Sequence, residues 1–369
     1  MNNNKHIILT FVILAMVPLL VNFYALSRFF VGERNDGNDV KNAAFSTEKM
    51  MNAEATQQPP PSPLTLLDFA IVGFAKTGTT FLHQVLANHS QIIMYDDEFW
   101  GDEKVLRKWL DQTTLIESTP HNNLLLMKGE SKQLIRGIKC PRIIKETARL
   151  DQILVNTSRV IVGVRHPVHW FESLYNYRIW QKSKHKREHR IPPMRFFLNN
   201  RTSWLGLSTG AARFDLYLKQ LGKVPLTNVE IQNMKRTNKV EGVMTSSPYH
   251  EQHPMKVLLY TIEQINDTNT TRRLHFQTTL QQFLNLKTTA IHQDIATQDM
   301  VNVNNFKNPD IIDICEEQYR DIRSILVWQG KHASEWIRNK FMKSDDVIVS
   351  DVQYVNNILR QWGDDPCDL

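Results

Sequence analysis

The chain has 369 residues and a formal net charge of +6, with 41% hydrophobic and 22% charged residues. That length and apolar content allow one large α/β domain or two average ones, and they exclude collagen-like, coiled-coil and wholly disordered chains. Three Cys exclude a disulfide scaffold, and so small a positive surplus suits an anionic ligand while falling short of a nucleic-acid-binding composition.

From Ile7 to Leu26 the chain is apolar apart from Thr10, Pro18 and Asn22. A twenty-residue helix of this kind would be roughly 30 Å long, the thickness of a bilayer's hydrocarbon core. A retained transmembrane signal-anchor is expected at 7–26, after a short cytosolic tail at 1–6. A cleaved signal peptide is the alternative, because Ala25-Leu26-Ser27 has the small-x-small form of a cleavage site. Charge near the two ends weakly directs the N-tail to the cytosol and the rest to a lumen. Residues 31–63 are polar and end in a proline-rich run at 59–63, which predicts an extended, disordered stem over 27–63. Sequons follow at Asn88, Asn156, Asn200, Asn266 and Asn269, which a lumenal domain would make usable. Asn88 is expected to stay unmodified, since it lies close to the segment described next.

Folded structure is expected from residue 64. Leu66 to Val72 reads as a buried strand ending at Gly73. Thr79 to Asn88 has helical spacing, with Phe81, Leu82, Val85 and Leu86 on one face. Further strands are expected at 159–164 and 255–260, a helix after Pro167, and helices within 211–221, 277–285 and 311–341. Alternating strands and helices predict a single P-loop-like domain at 64–343, with a central, mainly parallel sheet flanked by helices. The acidic segment 344–369 is expected to be a peripheral tail.

Between the first strand and helix lies Gly73-Phe74-Ala75-Lys76-Thr77-Gly78-Thr79-Thr80. Backbone amides at such a junction cradle anions. The glycines keep G-x-x-x-x-G spacing, yet the residue after Gly78 is Thr79 where a nucleoside-triphosphate loop has Lys, and the loop lysine is Lys76. This argues against a Mg-ATP kinase or GTPase. Later, strand 159–164 runs into Arg165-His166-Pro167, with Ser173 eight residues beyond the Arg. Arg165 offers a bidentate fork for a phosphate at a strand end.

The loop resembles the 5′-phosphosulfate-binding loop of sulfotransferases that use 3′-phosphoadenosine-5′-phosphosulfate, and its form is closest to the membrane-anchored carbohydrate enzymes such as the heparan sulfate N- and O-sulfotransferases. The segment after strand 159–164 resembles that family's 3′-phosphate signature, with His166 where the family usually has Asp. The resemblance implies sulfuryl transfer to a carbohydrate hydroxyl or amine by in-line displacement, with the donor as co-substrate and no metal. It implies Lys76 as the cation on the leaving side, and Thr77, Gly78, Thr79 and Thr80 around the 5′-phosphate. Arg165 and Ser173 fall to the 3′-phosphate, and Lys307 to a loop near the adenosine. The glycan-modifying branch carries a Glu before an aromatic pair, here within Tyr95 to Trp100; residue type selects Glu98 as base and spacing selects Asp96. His83 and His89 compete for that role. Lys139, in an element resembling the family's G-x-K-x-P strand end, is a candidate for the sulfate or the acceptor. The basic run 182–190, with Lys184, Lys186 and Arg187, is a candidate for holding an acidic polysaccharide. The implied location is the Golgi membrane, single-pass, with a lumenal catalytic domain and no nucleic-acid partner. The rivals are a kinase-like P-loop enzyme and a non-catalytic lumenal glycan-binding protein. A single disulfide among Cys140, Cys315 and Cys367 is possible, with its pairing open.

Overall fold

A computed structural model describes residues 67–99, 103–118, 134–141, 144, 159–184, 212–225, 227–228, 255–287 and 311–368. The expected anchor at 7–26 and stem at 27–63 lie outside the described residues, and among those described no helix is long and apolar enough to cross a membrane. In chain order the main elements are β1 (Phe69–Gly73), α1 (Thr79–Ala87), β2 (Ile92–Glu98), α2 (Glu103–Ser118), β3 (Ile135–Cys140) and β4 (Arg159–Val164). They continue as α3 (Pro167–Lys184), α4 (Phe214–Leu218), β5 (Lys256–Thr261), the short turn α5 (Ile262–Ile265), α6 (Thr270–Leu284), α7 (Arg320–Asn339), β6 (Val347–Ile348) and α8 (Val352–Arg360).

The six strands form one sheet in the order β2-β3-β1-β4-β5-β6, and every neighbouring pair is parallel. The order explains the composition of the strands. All five residues of β1 are buried, as continuous apolar runs require when helices cover both faces of a parallel sheet. Alternate side chains of β1 serve different layers. Ala70 and Val72 join a core with Val168, Trp170, Phe171, Phe214, Leu326 and Trp362. Phe69 and Ile71 join the opposite core with Leu82, Val85 and Leu86 of α1 and Phe276, Leu280 and Leu284 of α6. The periodic spacing predicted for α1 therefore points into this second core, while β1 itself starts at Phe69 rather than Leu66.

One strand is new and one expectation changes. The acidic stretch 95–98 belongs to β2 at the sheet edge, with a register irregularity between Met94 and Glu98. Segment 344–369 is not a peripheral tail. Val347 and Ile348 pair with Val257 and Leu258 of β5, and Trp362 is fully buried against Phe214. The acidic residues that suggested a solvated tail have structural partners. Asp346 pairs with Lys223 at 3.0 Å, Asp351 caps α8 through the Tyr354 N–H, and Asp365 pairs with Arg323 at 3.0 Å. A disulfide joins Cys315 to Cys367 and fixes the end of the chain beside the start of α7; Cys140 is free and buried.

Removing a fully buried indole leaves a cavity that costs about 3–5 kcal/mol. Trp362→Ala is therefore expected to lose about that much stability in urea denaturation, whereas a peripheral tail would tolerate the change within about 0.5 kcal/mol.

Candidate functional site

Ligands of open parallel sheets bind beyond the carboxyl ends of the strands where the order switches direction. Here that place is the end of β1, flanked by β3 and β4. β1 and β4 finish side by side, with Gly73 opposite Gly163. A Cβ on Gly163 would lie 2.4 Å from the Tyr260 ring and 2.8 Å from the Thr77 hydroxyl, distances no packed core accommodates. Glycine at 163 thus lets the loop after β1 settle directly onto β4 and β5.

The loop is tied down at three points. The Thr77 hydroxyl donates to the Phe74 carbonyl at 2.7 Å, the Trp170 indole N–H donates to the Ala75 carbonyl at 2.8 Å, and the Phe74 ring packs 4.2 Å from Phe214. Its backbone then turns through two left-handed residues, Lys76 at φ 71° and Gly78 at φ 86°. For lysine this conformation costs roughly 1–2 kcal/mol, and it is sustained because the flanking carbonyls are bound to neighbouring side chains. The Gly78 carbonyl accepts the Leu82 N–H at 3.0 Å and opens α1, so the unpaired amides of the first turn lie in the loop. The hydroxyl of Thr77 is fully buried and committed to Phe74, leaving its backbone for an anion; Thr79 is also buried, and Thr80 is exposed.

Arg165 reaches this loop from the end of β4, with a guanidinium nitrogen 3.5 Å from the Lys76 carbonyl. The two cations share one partly desolvated place. Burial, and then the charge of Arg165, push the Lys76 ammonium below the ordinary lysine range. Burial also lowers Arg165, against which Glu263 and Glu172 act in the opposite direction. Both of these carboxyls are themselves raised, chiefly by burial. The Glu172 carboxylate accepts the Ile314 N–H at 3.1 Å, and one Glu263 oxygen is buried with no hydrogen-bond partner among the described residues. Ser173 lies half-buried on α3 beyond Arg165.

On the other side of the loop, Glu98 of β2 lies in register with Lys139 of β3. The Lys139 ammonium makes a loose 3.5 Å contact to the Thr80 hydroxyl. Glu98 is half-buried and Asp96 exposed. The rival histidines are occupied: the His83 ring donates to the Tyr95 carbonyl at 2.9 Å, and His89 is buried with its ring accepting the Gln91 N–H. Lys184 is the last residue of α3, while Lys186, Arg187 and Lys307 lie outside the described residues. Among the described residues no group of three or more His, Cys, Asp or Glu could hold a metal ion.

The sequence reading missed Trp170, Glu172, Glu263 and Tyr177, whose ring centroid lies 4.5 Å from the Lys76 ammonium. The expected strand at 255–260 carried the signal for Glu263, which sits just past that strand's carboxyl end. Trp170, Glu172 and Tyr177 were hidden on a helix recognised for Arg165 and Ser173. His166, read as a variation at the nucleotide site, instead faces the C-terminal segment, with its ring 6.3 Å from Trp362 and its Nδ1 accepting the Val168 N–H.

No protein-family model matches the chain, and no curated protein does. Solved structures give distant likenesses. A sulfotransferase from Alicyclobacillus acidocaldarius is 13% identical, with a TM-score of 0.38, covering 73% of this chain and 95% of that one. The sulfotransferase domain from the curacin biosynthetic pathway is 14% identical, with a TM-score of 0.33, covering 63% and 79%. The sulfotransferase domain from the Synechococcus PCC 7002 olefin synthase is 14% identical, with a TM-score of 0.31, covering 66% and 81%.

Burial and the neighbouring His169 push His166 down to about 4, against the weaker opposing pull of the 361 and 364 carbonyls and Asp365. The folded state therefore keeps this ring neutral while the unfolded chain takes up a proton below about pH 6.5. Stability is present at neutral pH and is lost as pH falls from about 6.5 to 4, by about 3 kcal/mol from this group. His166→Asn, whose amide oxygen can accept the Val168 N–H, is expected to flatten that part of the profile in urea denaturation between pH 7 and 4.5. Parallel wild-type and variant profiles would contradict the assignment.

Proposed function

We propose that this protein is a sulfotransferase, transferring a sulfuryl group from 3′-phosphoadenosine-5′-phosphosulfate to a carbohydrate hydroxyl or amine. The observation that carries the reading is the convergence of Lys76 and Arg165, from adjacent parallel strands, beside the unpaired amides of α1. Two cations pressed together in a desolvated loop lower each other's charge stability, and an anion between them relieves it. The lysine stands in the middle of the loop, where a triphosphate loop would place it one residue after Gly78.

The residues present fit the donor. Loop amides and the hydroxyls of Thr79 and Thr80 suit its 5′-phosphate, and Arg165 with Ser173 suits the 3′-phosphate. Lys76 neutralises charge that develops on the leaving oxygen. Glu98 is the better candidate for the base than Asp96, because it is half-buried and aligned with Lys139 at the edge of the loop. Lys139 then serves the sulfate or the acceptor, and the basic run with Lys184, Lys186 and Arg187 serves an acidic polysaccharide. Nothing in these roles calls for a metal. The adenosine-side role of Lys307 belongs to the same proposal.

The proposed location is the Golgi membrane, single-pass, with the catalytic domain in the lumen. The apolar run at 7–26, the sequons and the Cys315–Cys367 disulfide support it, since such bonds are rare where thiols are kept reduced.

With radiolabelled donor and a panel of glycans, the full chain is expected to transfer sulfate. Lys76→Ala and Arg165→Ala should each lower the rate by on the order of 100-fold or more, and Glu98→Gln should fall far below Asp96→Asn. Full transfer by both cation variants would overturn the assignment.

A further inference from the structure

Among the described residues, the ammonium of Lys76 has one direct partner, and it is an aromatic ring: Nζ lies 4.5 Å from the centroid of Tyr177 on α3. A cation over an aromatic face at this distance is attracted by the ring's quadrupole, more strongly where water is excluded. The ring is itself held in place. The Tyr177 hydroxyl accepts the Gln181 side-chain N–H at 2.8 Å, and the Gln181 carbonyl accepts from Arg178 at 2.9 Å. The Trp180 ring stacks 5.8 Å away at an interplanar angle of 28°. The hydroxyl lies on the ring's own axis, so this bond holds the tip in place, while the stacked Trp180 restrains rotation and a face of the ring is left to the lysine.

We propose that Tyr177 is a positioning residue for Lys76, a ring platform that holds the ammonium of the loop lysine beside the anion site. The charged groups around the lysine show what the ring works against. Arg165, at the end of β4, opposes the ammonium, and burial acts in the same direction. The carboxyls that could offset this, Glu172 on α3 and Glu263 after β5, act on Arg165; burial, and then the charge of Arg165, also push the neighbouring His169 below its ordinary value. A carboxylate in Tyr177's place would bind the ammonium tightly and compete with an incoming anion. A π face is a weaker partner, so the lysine stays charged yet exchangeable.

This inference rests on the reading of Lys76 as the donor-side cation, but its test measures no transfer. Trace acetylation of the full chain across pH 6 to 11, followed by peptide mass spectrometry, gives the titration midpoint of Lys76. Tyr177→Leu is expected to lower the midpoint by about half to one pH unit, while Tyr177→Phe, which keeps the ring, shifts it less. Phenylalanine analogues with increasing fluorination at position 177 keep the shape and drain the ring face; the midpoint should fall with each added fluorine. That series decides the matter if the leucine variant does not fold. An unchanged midpoint in Tyr177→Leu, or a flat fluorinated series, would overturn the role of Tyr177. A shifted midpoint in a chain that transfers no sulfate would instead overturn the enzymatic reading and leave the platform standing.

Discussion

The parallel pairing of β1 with β4 sets two glycines, Gly73 and Gly163, opposite each other at the carboxyl edge of the sheet. With no side chain at 163, Tyr260 and Thr77 pack into the space a Cβ would fill. The loop after β1 therefore lies low over β4, close enough for Arg165 to meet the Lys76 carbonyl. The left-handed turn at Lys76 and Gly78, the unpaired amides at the start of α1 and the crowding of two cations all follow from that close approach.

The site's electrostatics are arranged in layers. Lys76 and Arg165 form the inner pair. Glu172 and Glu263 stand behind the arginine, and Tyr177 stands behind the lysine. Glu172 also accepts the Ile314 N–H, and Asn176 exchanges two hydrogen bonds with Ile312. Helix α3 thus holds the cation site on one side and the chain entering α7 on the other. The disulfide to Cys367 and the Arg323 contacts to the carbonyls of Ile314 and Glu316 fix that same segment from the far end. The C-terminal segment therefore helps define the scaffold of the site.

The fold's α/β class, β1, α1, β4 and the position of Arg165 were legible because each depends on a short run of sequence: a buried apolar strand, a glycine-spaced turn, an amphipathic face. What stayed hidden depends on contacts between distant segments. Acidic residues at 345–365 look solvated in one dimension, yet Asp346, Asp351 and Asp365 find Lys223, the start of α8 and Arg323 in three. The acidic run ending at Glu98 lies in edge strand β2, where Glu98 pairs with Lys139 of β3, a placement that its composition alone opposes. Tyr177 reads as one more aromatic on a helix until the loop brings Lys76 over its face.

The central claim is that the loop is built for an adenosine bisphosphate rather than for a magnesium-bound triphosphate. Calorimetric titration of the full chain with adenosine 3′,5′-bisphosphate and, separately, with Mg-ATP tests it most directly. The account predicts tighter binding of the bisphosphate, undiminished by chelation of magnesium and lost in Arg165→Ala. Tighter, magnesium-dependent binding of ATP, with Arg165→Ala unaffected, would contradict it.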